Sequence, residues 1–140
     1  MSTTLTIVKP DAVAAGNAGN IIAFLEQKSF KVRGLKMLRL SKEQAAAFYE
    51  VHKERPFYGD LVEFMTSGPA VAAALEHEDA VPFLREVMGA TNSAEAAEGT
   101  VRALYGTDIE RNAIHGSDSS ENAAKELAFF FSRSELIAAR

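Results

Sequence analysis

The stretch Thr4-Leu5-Thr6-Ile7-Val8-Lys9-Pro10-Asp11 decides the fold class, because it predicts a β-strand with a fixed end. Residues 4–8 are rich in β-branched side chains and alternate in part between polar and apolar residues, which is typical of a strand. Proline has no backbone N–H to donate to a sheet, so Lys9 lies at the strand end. Residues 17–28 then place apolar side chains on one side of a helical period. The chain therefore begins with a strand followed by a helix.

Alternation and helical spacing predict the elements in the middle of the chain. Residues 31–40 alternate imperfectly between charged and apolar side chains and predict a strand with both faces partly covered. Residues 57–65 repeat apolar side chains at helical spacing until a Gly-Pro pair stops the helix. Residues 70–75 are short and apolar, and their position between two helices favours a strand over a helix.

Capping residues predict where the other helices begin and end. Ser41, with Gln44 three positions later, matches a capping box and begins a helix. This helix brings three aromatic rings within one turn, where they belong either to the core or to a site: Phe48, Tyr49 and His52. Asp79 is expected to cap another helix, which Gly89 ends.

The last third of the chain is less regular. Residues 89–119 are polar and small, and a loop this long is usually functional or broken by short helices. Asp118 and Glu121 form a second capping pattern, which begins a short helix that ends near residue 126. Residues 127–131 predict a final aromatic strand, and the tail from Ser132 is expected to be a frayed or surface segment.

The predicted elements, in order, are strand, helix, strand, two helices, strand, helix, long loop, helix and strand. We expect helices clustered on one face of a small, mostly antiparallel sheet. The predicted class is α+β, a ferredoxin-like sandwich in which helices cover a four-stranded antiparallel sheet. A chain of 140 residues has the size of one ordinary domain, so residues 1–140 are predicted to form a single domain.

Composition and charge exclude several classes of protein. Hydrophobic residues make up 47% and charged residues 24%, which is ordinary for a globular protein and argues against disorder. The formal net charge of -4 argues against non-specific nucleic-acid binding, so no nucleic-acid partner is expected. The sequence has no cysteine, no signal-peptide pattern and no apolar run near the roughly 18 to 20 residues that span a membrane. We therefore expect a soluble, cytoplasmic protein with no membrane partner.

One histidine stands among small and polar residues in the stretch Arg111-Asn112-Ala113-Ile114-His115-Gly116-Ser117-Asp118. A neutral imidazole has a free ring nitrogen that acts as a nucleophile or as a base. Glu126 follows on the predicted helix, and with Ser117 it is a candidate to orient the imidazole. The alternative is a loop histidine without chemistry. The other histidines, His52 and His77, have no companions at metal-ligand spacing.

Three cations are candidates for binding phosphate, namely Lys9, Arg85 and Arg102. Arginine presents a planar fork that suits phosphate oxygens and lysine adds a compact charge, so together they would clamp a polyphosphate. The alternative is three ordinary surface charges. Three further residues either contact a nucleotide or serve as turn and core residues: Thr91, Asn112 and Phe57. The P-loop and protein-kinase signatures are absent from the sequence.

These segments together resemble the nucleoside diphosphate kinase family, from about residue 5 to residue 131. Six anchors in a fixed order make the resemblance specific, whereas a lone His-Gly-Ser-Asp would be weak. The anchors are Lys9-Pro10-Asp11, His52-Lys53-Glu54-Arg55-Pro56-Phe57, Ser67-Gly68-Pro69, Met88-Gly89-Ala90-Thr91-Asn92, Gly99-Thr100-Val101-Arg102 and Asn112-Ala113-Ile114-His115-Gly116-Ser117-Asp118.

The resemblance implies that His115 takes the γ-phosphoryl group of a nucleoside triphosphate as phosphohistidine and passes it to a different nucleoside diphosphate. This is ping-pong transfer with broad base and sugar specificity. The resemblance also implies Mg²⁺ on the nucleotide phosphates, with few or no protein ligands. The implied roles are phosphate contacts for Lys9, Arg85, Thr91 and Arg102, a position near the transferred group for Tyr49, a sugar contact for Asn112 with Lys9, base stacking for Phe57, and orientation of the histidine by Ser117 and Glu126.

Family members are oligomers, in which dimers combine into tetramers or hexamers, so a homo-oligomer is expected. The apolar Leu35 and Met37 on the second strand suit a pairing surface. Ser93 replaces a frequent proline, Leu104 replaces a frequent aspartate, and Ala14-Ala15-Gly16 replaces a segment that often carries a basic residue. Two other classes stay open: a nucleotide-binding scaffold that has lost catalysis, and a phosphohistidine carrier that serves a partner protein.

Overall fold

The computed structural model describes residues 1–138. Its strands are β1 (Ser2–Val8), β2 (Lys31–Leu38), β3 (Ala70–His77) and β4 (Ile114–Gly116). They form one four-stranded sheet in the order β2-β3-β1-β4, and every neighbouring pair is antiparallel. This topology confirms the predicted α+β class and its ferredoxin-like antiparallel sheet. It also makes β2 and β4 the edge strands.

Eight α-helices lie within the described part of the chain. They are α1 (Pro10–Ala14), α2 (Ala18–Gln27), α3 (Lys42–Phe48), α4 (Tyr58–Met65), α5 (Ala80–Met88), α6 (Val101–Tyr105), α7 (Ser120–Phe130) and α8 (Arg133–Ala138). Short 3-10 turns at Glu50–His52 and Ser93–Glu95 add to them. None of the helices within residues 1–138 combines the length and apolar character needed to cross a bilayer.

Helices cover both faces of the sheet, so the prediction that they cluster on one face is wrong. The odd-numbered apolar residues of β3 pack with α2, α5 and α6, whereas its even-numbered ones pack with α3, α4 and α7. Successive side chains of a strand point to opposite faces, and the first six residues of β3 are all buried. An uninterrupted apolar strand needs cover on both sides, and this is the physical reason for the second helical layer.

The predicted final strand at residues 127–131 is also wrong, because α7 continues to Phe130. Its buried residues Ala123, Leu127 and Phe130 recur at helical spacing, and their packing overrides the strand preference of the aromatic residues. The fourth strand is instead β4, inside the long polar segment. Three residues are too few to show a two-residue period.

The two capping boxes differ in outcome. At α3 the prediction is confirmed, since the Gln44 backbone N–H donates to Ser41 Oγ at 3.1 Å and the Gln44 side chain accepts from the Ser41 backbone. At α7 the prediction of Asp118 as cap is wrong. Ser119 holds that position, and its Oγ accepts from the Asn122 backbone N–H at 3.1 Å.

The remaining helix ends follow the sequence in part. Gly89 ends α5 as predicted, with a φ of 89° that favours glycine. Asp79 precedes α5 as expected, but its side chain makes no capping hydrogen bond in the described structure. As far as residue 138, the tail from Ser132 is a surface segment rather than a frayed one, because Arg133–Ala138 form α8, most of its side chains are exposed, and Leu136 packs against the same core as Phe131.

Candidate active site

The short strand β4 presents His115 at the edge of the sheet. His115 pairs with Ile7 of β1, and Thr6 Oγ1 donates to its backbone carbonyl at 2.8 Å. Gly116 lets β4 lie against α5, because a Cβ at this position would be 2.6 Å from Met88 Sδ. Paired residues of an antiparallel sheet project to the same face, and Ile7 faces the core under α3 and α7. The imidazole therefore emerges beside these two helices.

A carboxylate on α7 holds the imidazole. Glu126 Oε1 lies 2.8 Å from His115 Nε2 and accepts a second hydrogen bond from Ser117 Oγ, also at 2.8 Å. Ser117 is fully buried, and the His115 and Glu126 side chains are 21% and 20% exposed. The structure thus brings His115 together with Ser117 and Glu126, the two residues that the sequence analysis predicts to orient it.

Lys9 and Asn112 form a buried polar pair at one end of the cleft. Lys9 Nζ donates to Asn112 Oδ1 at 2.8 Å, while Asn112 Nδ2 donates to the backbone carbonyls of Thr91 and Ile109 at 2.9 and 3.1 Å. Burial, with the nearby Arg102 charge, lowers the pKa of Lys9 to about 8. Lys9 is therefore a cation whose charge is sensitive to conditions near neutral pH.

Two arginines supply fixed positive charge. Arg102 is 6% exposed, and its Nη1 and Nη2 donate to the backbone carbonyls of Gly89 and Ile114 at 3.1 and 2.8 Å. Arg85 Nη1 lies 3.4 Å from the Gly116 carbonyl. Burial and the charge of Arg85 lower the pKa of Arg102 to about 10, so its guanidinium stays charged at neutral pH. Within residues 1–138, neither guanidinium forms an ion pair with a carboxylate.

Tyr49 adds a hydroxyl at the boundary of α3. Its side chain is buried, and its Oη has no hydrogen-bond partner among the described residues. Burial, reinforced by the Glu126 charge, raises the pKa of Tyr49, so the phenol keeps its proton. A buried donor without a partner is costly unless something else binds it. The hydroxyl is therefore available to a ligand in the cleft.

These side chains line one cleft with two connected parts. We call them the base lobe, with a volume of about 430 Å³, and the phosphate lobe, with about 700 Å³, after the groups that the sequence analysis expects their residues to bind. Both lobes are lined by Tyr49, His52, Thr91, Arg102 and His115; Lys9, Phe57 and Asn112 line the base lobe, and Arg85 and Glu126 line the phosphate lobe. Every site residue predicted from the sequence except Ser117 borders this cleft.

Apolar residues of the cleft to which the sequence analysis gives no definite role include Ile109 and Phe48. Ile109 is 64% exposed and lines the base lobe with Phe57, which is 48% exposed. Phe48 lines the phosphate lobe, and its ring centroid lies 5.6 Å from that of His115. Ile109 is a single apolar side chain in a polar turn. Its exposure, which marks it as a site candidate, is visible only once the fold is known. The sequence left Phe48 open as a core or site residue.

Comparison with known proteins gives a consistent result. A family model described as nucleoside diphosphate kinase matches residues 2–136. The chain is 58% identical over 134 residues to the nucleoside diphosphate kinase of Persephonella marina, covering 96% of each chain. It is 55% identical over 137 residues to the nucleoside diphosphate kinase of a Nitratiruptor species, covering 98% of this chain and 100% of the relative.

Solved structures agree in fold as well as in sequence. The Aquifex aeolicus nucleoside diphosphate kinase superimposes with a TM-score of 0.94 at 51% identity, covering 96% of this chain and 97% of that chain. A halophilic nucleoside diphosphate kinase from Halobacterium salinarum in complex with CDP gives a TM-score of 0.91 at 42% identity, covering 96% and 90%.

Proposed function

The chain belongs to the nucleoside diphosphate kinase family, and on this premise we propose that it works by ping-pong phosphoryl transfer through a phosphohistidine at His115. The observation that carries the proposal is the 2.8 Å contact between His115 and Glu126, in a cleft that also holds Lys9, Arg85 and Arg102. Phosphoryl transfer depends mainly on positioning and charge stabilisation, so one oriented nucleophile among several cations is sufficient to catalyse it.

The contact with Glu126 selects the reacting nitrogen. An ionised carboxylate only accepts hydrogen bonds, so Nε2 carries the hydrogen of the neutral ring. The other nitrogen, Nδ1, then keeps the lone pair. Ser117 donates to the same carboxylate oxygen and fixes it in turn. We therefore assign Nδ1 of His115 as the nucleophile, with Glu126 and Ser117 as its orienting pair.

In the first half-reaction, the Nδ1 lone pair forms a bond to the γ-phosphorus while the bond from that phosphorus to the bridging oxygen breaks. The nucleoside diphosphate leaves with the bonding electrons, and the phosphorylated ring carries a positive charge. The carboxylate of Glu126 beside Nε2 offsets this charge. In the second half-reaction, a terminal β-phosphate oxygen of another diphosphate forms a bond to the same phosphorus while the bond from phosphorus to Nδ1 breaks. A new nucleoside triphosphate leaves, and the electrons of the broken bond return to Nδ1 of neutral His115.

The cations bind the phosphate groups and stabilise the negative charge that shifts between the phosphates during transfer. Arg85 and Arg102 have donors to spare beyond the backbone carbonyls they contact, and each presents a fork suited to phosphate oxygens. The unpartnered Tyr49 hydroxyl and Thr91, which both line the phosphate lobe, are the further donors that we assign to the transferred group. These donors are in position before the nucleotide binds. Preorganisation of this kind is usually the largest contribution to transition-state stabilisation.

We assign magnesium to the nucleotide rather than to the protein. In residues 1–138, no three histidine, aspartate or glutamate side chains are grouped to hold a metal ion. Asp118 lines the phosphate lobe, and its hydrogen bond from Asn122, with the charge of Arg85, lowers its pKa, so it is ionised there. This donor set fits an ion that arrives on the phosphates and neutralises part of their charge.

Nucleoside recognition is assigned to the base lobe. Phe57 and Ile109 supply apolar surface for a nucleobase, and the Lys9–Asn112 pair supplies polar atoms for the sugar hydroxyls. Every base has a π-face, so stacking on Phe57 without a fixed hydrogen bond to the base edge supports broad specificity.

We also propose a homo-oligomer built from dimers, acting in the cytoplasm. Leu35 and Met37 are 55% and 65% exposed on the edge strand β2, and burying them against another copy would remove apolar surface from water. Sedimentation equilibrium measures the assembly, and Leu35→Lys is expected to shift it toward smaller species.

Incubation with γ-³²P-labelled ATP and magnesium, followed by denaturing electrophoresis, tests the proposed mechanism. We expect an acid-labile label on the protein, which returns as labelled GTP or CTP when GDP or CDP is added. The His115→Ala variant should take up no label, whereas the matched variant His77→Asn, outside the cleft, should label normally.

Two outcomes would replace the proposal. A wild-type protein that binds ATP and never becomes labelled would be a nucleotide-binding scaffold. A label that forms and cannot be passed to any nucleoside diphosphate would indicate a phosphohistidine carrier that serves another protein.

A further inference from the structure

Phe48 stands at the centre of an aromatic cluster beside the nucleophile, and we propose that it is a positioning residue for the His115 imidazole. The proposal rests on the function proposed above, because the orientation of the ring matters only if the ring reacts. Phe48 is the last residue of α3, is half-buried, and lines the phosphate lobe but not the base lobe.

Four rings surround Phe48. Its ring centroid lies 5.6 Å from that of His115 at an interplanar angle of 74°, and 4.9 Å from that of Tyr49 at 88°. On its other side it contacts Phe129 at 5.3 Å and Phe130 at 5.2 Å. These separations and tilts are those preferred by edge-to-face aromatic pairs. Phe48 therefore connects the nucleophile to α7, the helix that carries Glu126.

The two contacts of His115 restrain different motions. The hydrogen bond to Glu126 fixes the position of one atom, Nε2, but leaves the plane of the ring able to tilt about the line from Cβ to that atom. The edge-to-face contact with Phe48 restrains the plane of the ring. Within residues 1–138, no other aromatic ring contacts His115. With both restraints in place, the direction of Nδ1 is fixed in a ring that lines the cleft.

This arrangement separates the chemical step from nucleotide binding. Tyr49 belongs to the aromatic cluster, whereas Lys9, Arg102 and Phe57 lie outside it, so we expect these three to keep their places when Phe48 changes. Loss of the second restraint should lower the fraction of imidazole rings aligned with the γ-phosphorus. The rate of phosphorylation should then fall while the affinity for nucleotide stays the same.

The test compares Phe48→Leu with the matched variant Phe129→Leu. Both remove one ring from the same cluster, but only Phe48 contacts His115. Misplacement of a reacting group by about 1 Å can cost about 100-fold in rate, so we expect Phe48→Leu to lower kcat by about 10- to 100-fold with KM changed less than about twofold. Phe129→Leu should change kcat by less than about threefold, and Phe48→Tyr, which keeps the ring, should restore most of the rate.

Nuclear magnetic resonance of the His115 ring provides a readout that loss of stability alone would not change. Long-range ¹H–¹⁵N correlation should show one Nε2–H tautomer in the wild-type protein, and an averaged or doubled set of ring signals in Phe48→Leu. Thermal unfolding of both leucine variants controls for general damage, and Phe48→Tyr carries the comparison if Phe48→Leu does not fold.

The proposal fails if Phe48→Leu keeps the wild-type kcat, if Phe129→Leu loses as much, or if KM rises in step with the loss of kcat. If Phe48→Leu does not fold, Phe48→Tyr provides the test. A fall in the kcat of Phe48→Tyr with unchanged His115 ring signals would overturn the proposal. Failure of the proposed function looks different, since the wild-type protein itself would then take up no label from γ-³²P-labelled ATP.

Discussion

At the scale of single residues, the burial of two cations distinguishes the cleft from a set of exposed surface charges. Lys9 and Arg102 are 8% and 6% exposed, so each cation has lost most of its water and is ready to bind an anion. The sequence could name these cations as phosphate ligands or as surface charges, but it could not decide between the two. Their shared burial around His115 favours the first interpretation.

Lys9 predicts a pH dependence of activity. Its pKa of about 8 means that the side chain is charged below that pH and neutral above it. We expect kcat/KM, which reports the free enzyme, to fall above about pH 8 by up to tenfold per pH unit. Bound phosphate favours the charged form, so kcat should fall only at a higher pH.

A control separates this effect from unfolding. Between about pH 8 and the ordinary lysine value of 10.5, the unfolded chain binds the Lys9 proton more tightly than the folded chain does. This group therefore makes the protein more stable, not less, as the pH rises. In Lys9→Gln, kcat/KM should be low and should no longer fall above about pH 8. If the fall persists in this variant, another group causes it.

Phe57 predicts a uniform loss of nucleotide affinity. Removal of a stacking ring typically costs about 1 to 3 kcal/mol per base, so Phe57→Ala should weaken the binding of ADP, GDP, CDP and UDP by similar factors. Isothermal titration calorimetry measures the four constants, with Leu104→Ala as a control that is equally exposed and lies outside the cleft lining. Selective loss for one nucleotide would show that the base edge is read.

At the scale of elements, α7 carries the largest difference between sequence and structure. The run of aromatic residues near its end predicts a strand by local preference, whereas the spacing of Ala123, Leu127 and Phe130 matches a helix buried on one side. The error matters for function because Glu126 lies on this helix. A helix that ended near residue 126 would leave Glu126 in a frayed last turn, and the continuous helix holds it rigidly.

The start of α7 predicts a stability difference between neighbouring residues. Ser119 accepts the capping hydrogen bond, so Ser119→Ala should lower the free energy of unfolding by about 1 kcal/mol. Asp118→Ala should cost less, because Asp118 accepts from the Asn122 side chain, whereas Ser119 accepts from the helix backbone. Urea unfolding of the two variants decides the assignment, and a larger loss for Asp118→Ala would restore the cap expected from the sequence.

The strand β4 shows why part of the site could not be located by pattern. It is three residues long, lies within a polar segment and is defined by its pairing with β1. Its partner, at residues 4–8, could be predicted because it is longer and β-branched. Long-range pairing therefore supplies the position of His115, whereas the local sequence supplies its identity.

At the scale of the whole molecule, the sheet order explains how distant segments meet in one cleft. The pairing of β1 with β4 brings Lys9 to Asn112, which are 103 positions apart in the sequence. The predicted order of strands and helices leads to the α+β class even though its last strand is wrong. It was not enough to predict helices on both faces, because that depends on which side each connection crosses.

In the proposed mechanism, the phosphoryl group resides on Nδ1 of His115. The most direct measurement is phosphorus and nitrogen nuclear magnetic resonance of the isolated phosphoenzyme, prepared with ¹⁵N-labelled histidine and ATP. We predict one phosphoryl group per chain, coupled to Nδ1 of His115 and absent from His115→Ala. A phosphoryl group on Nε2, or on any other side chain, would contradict the account.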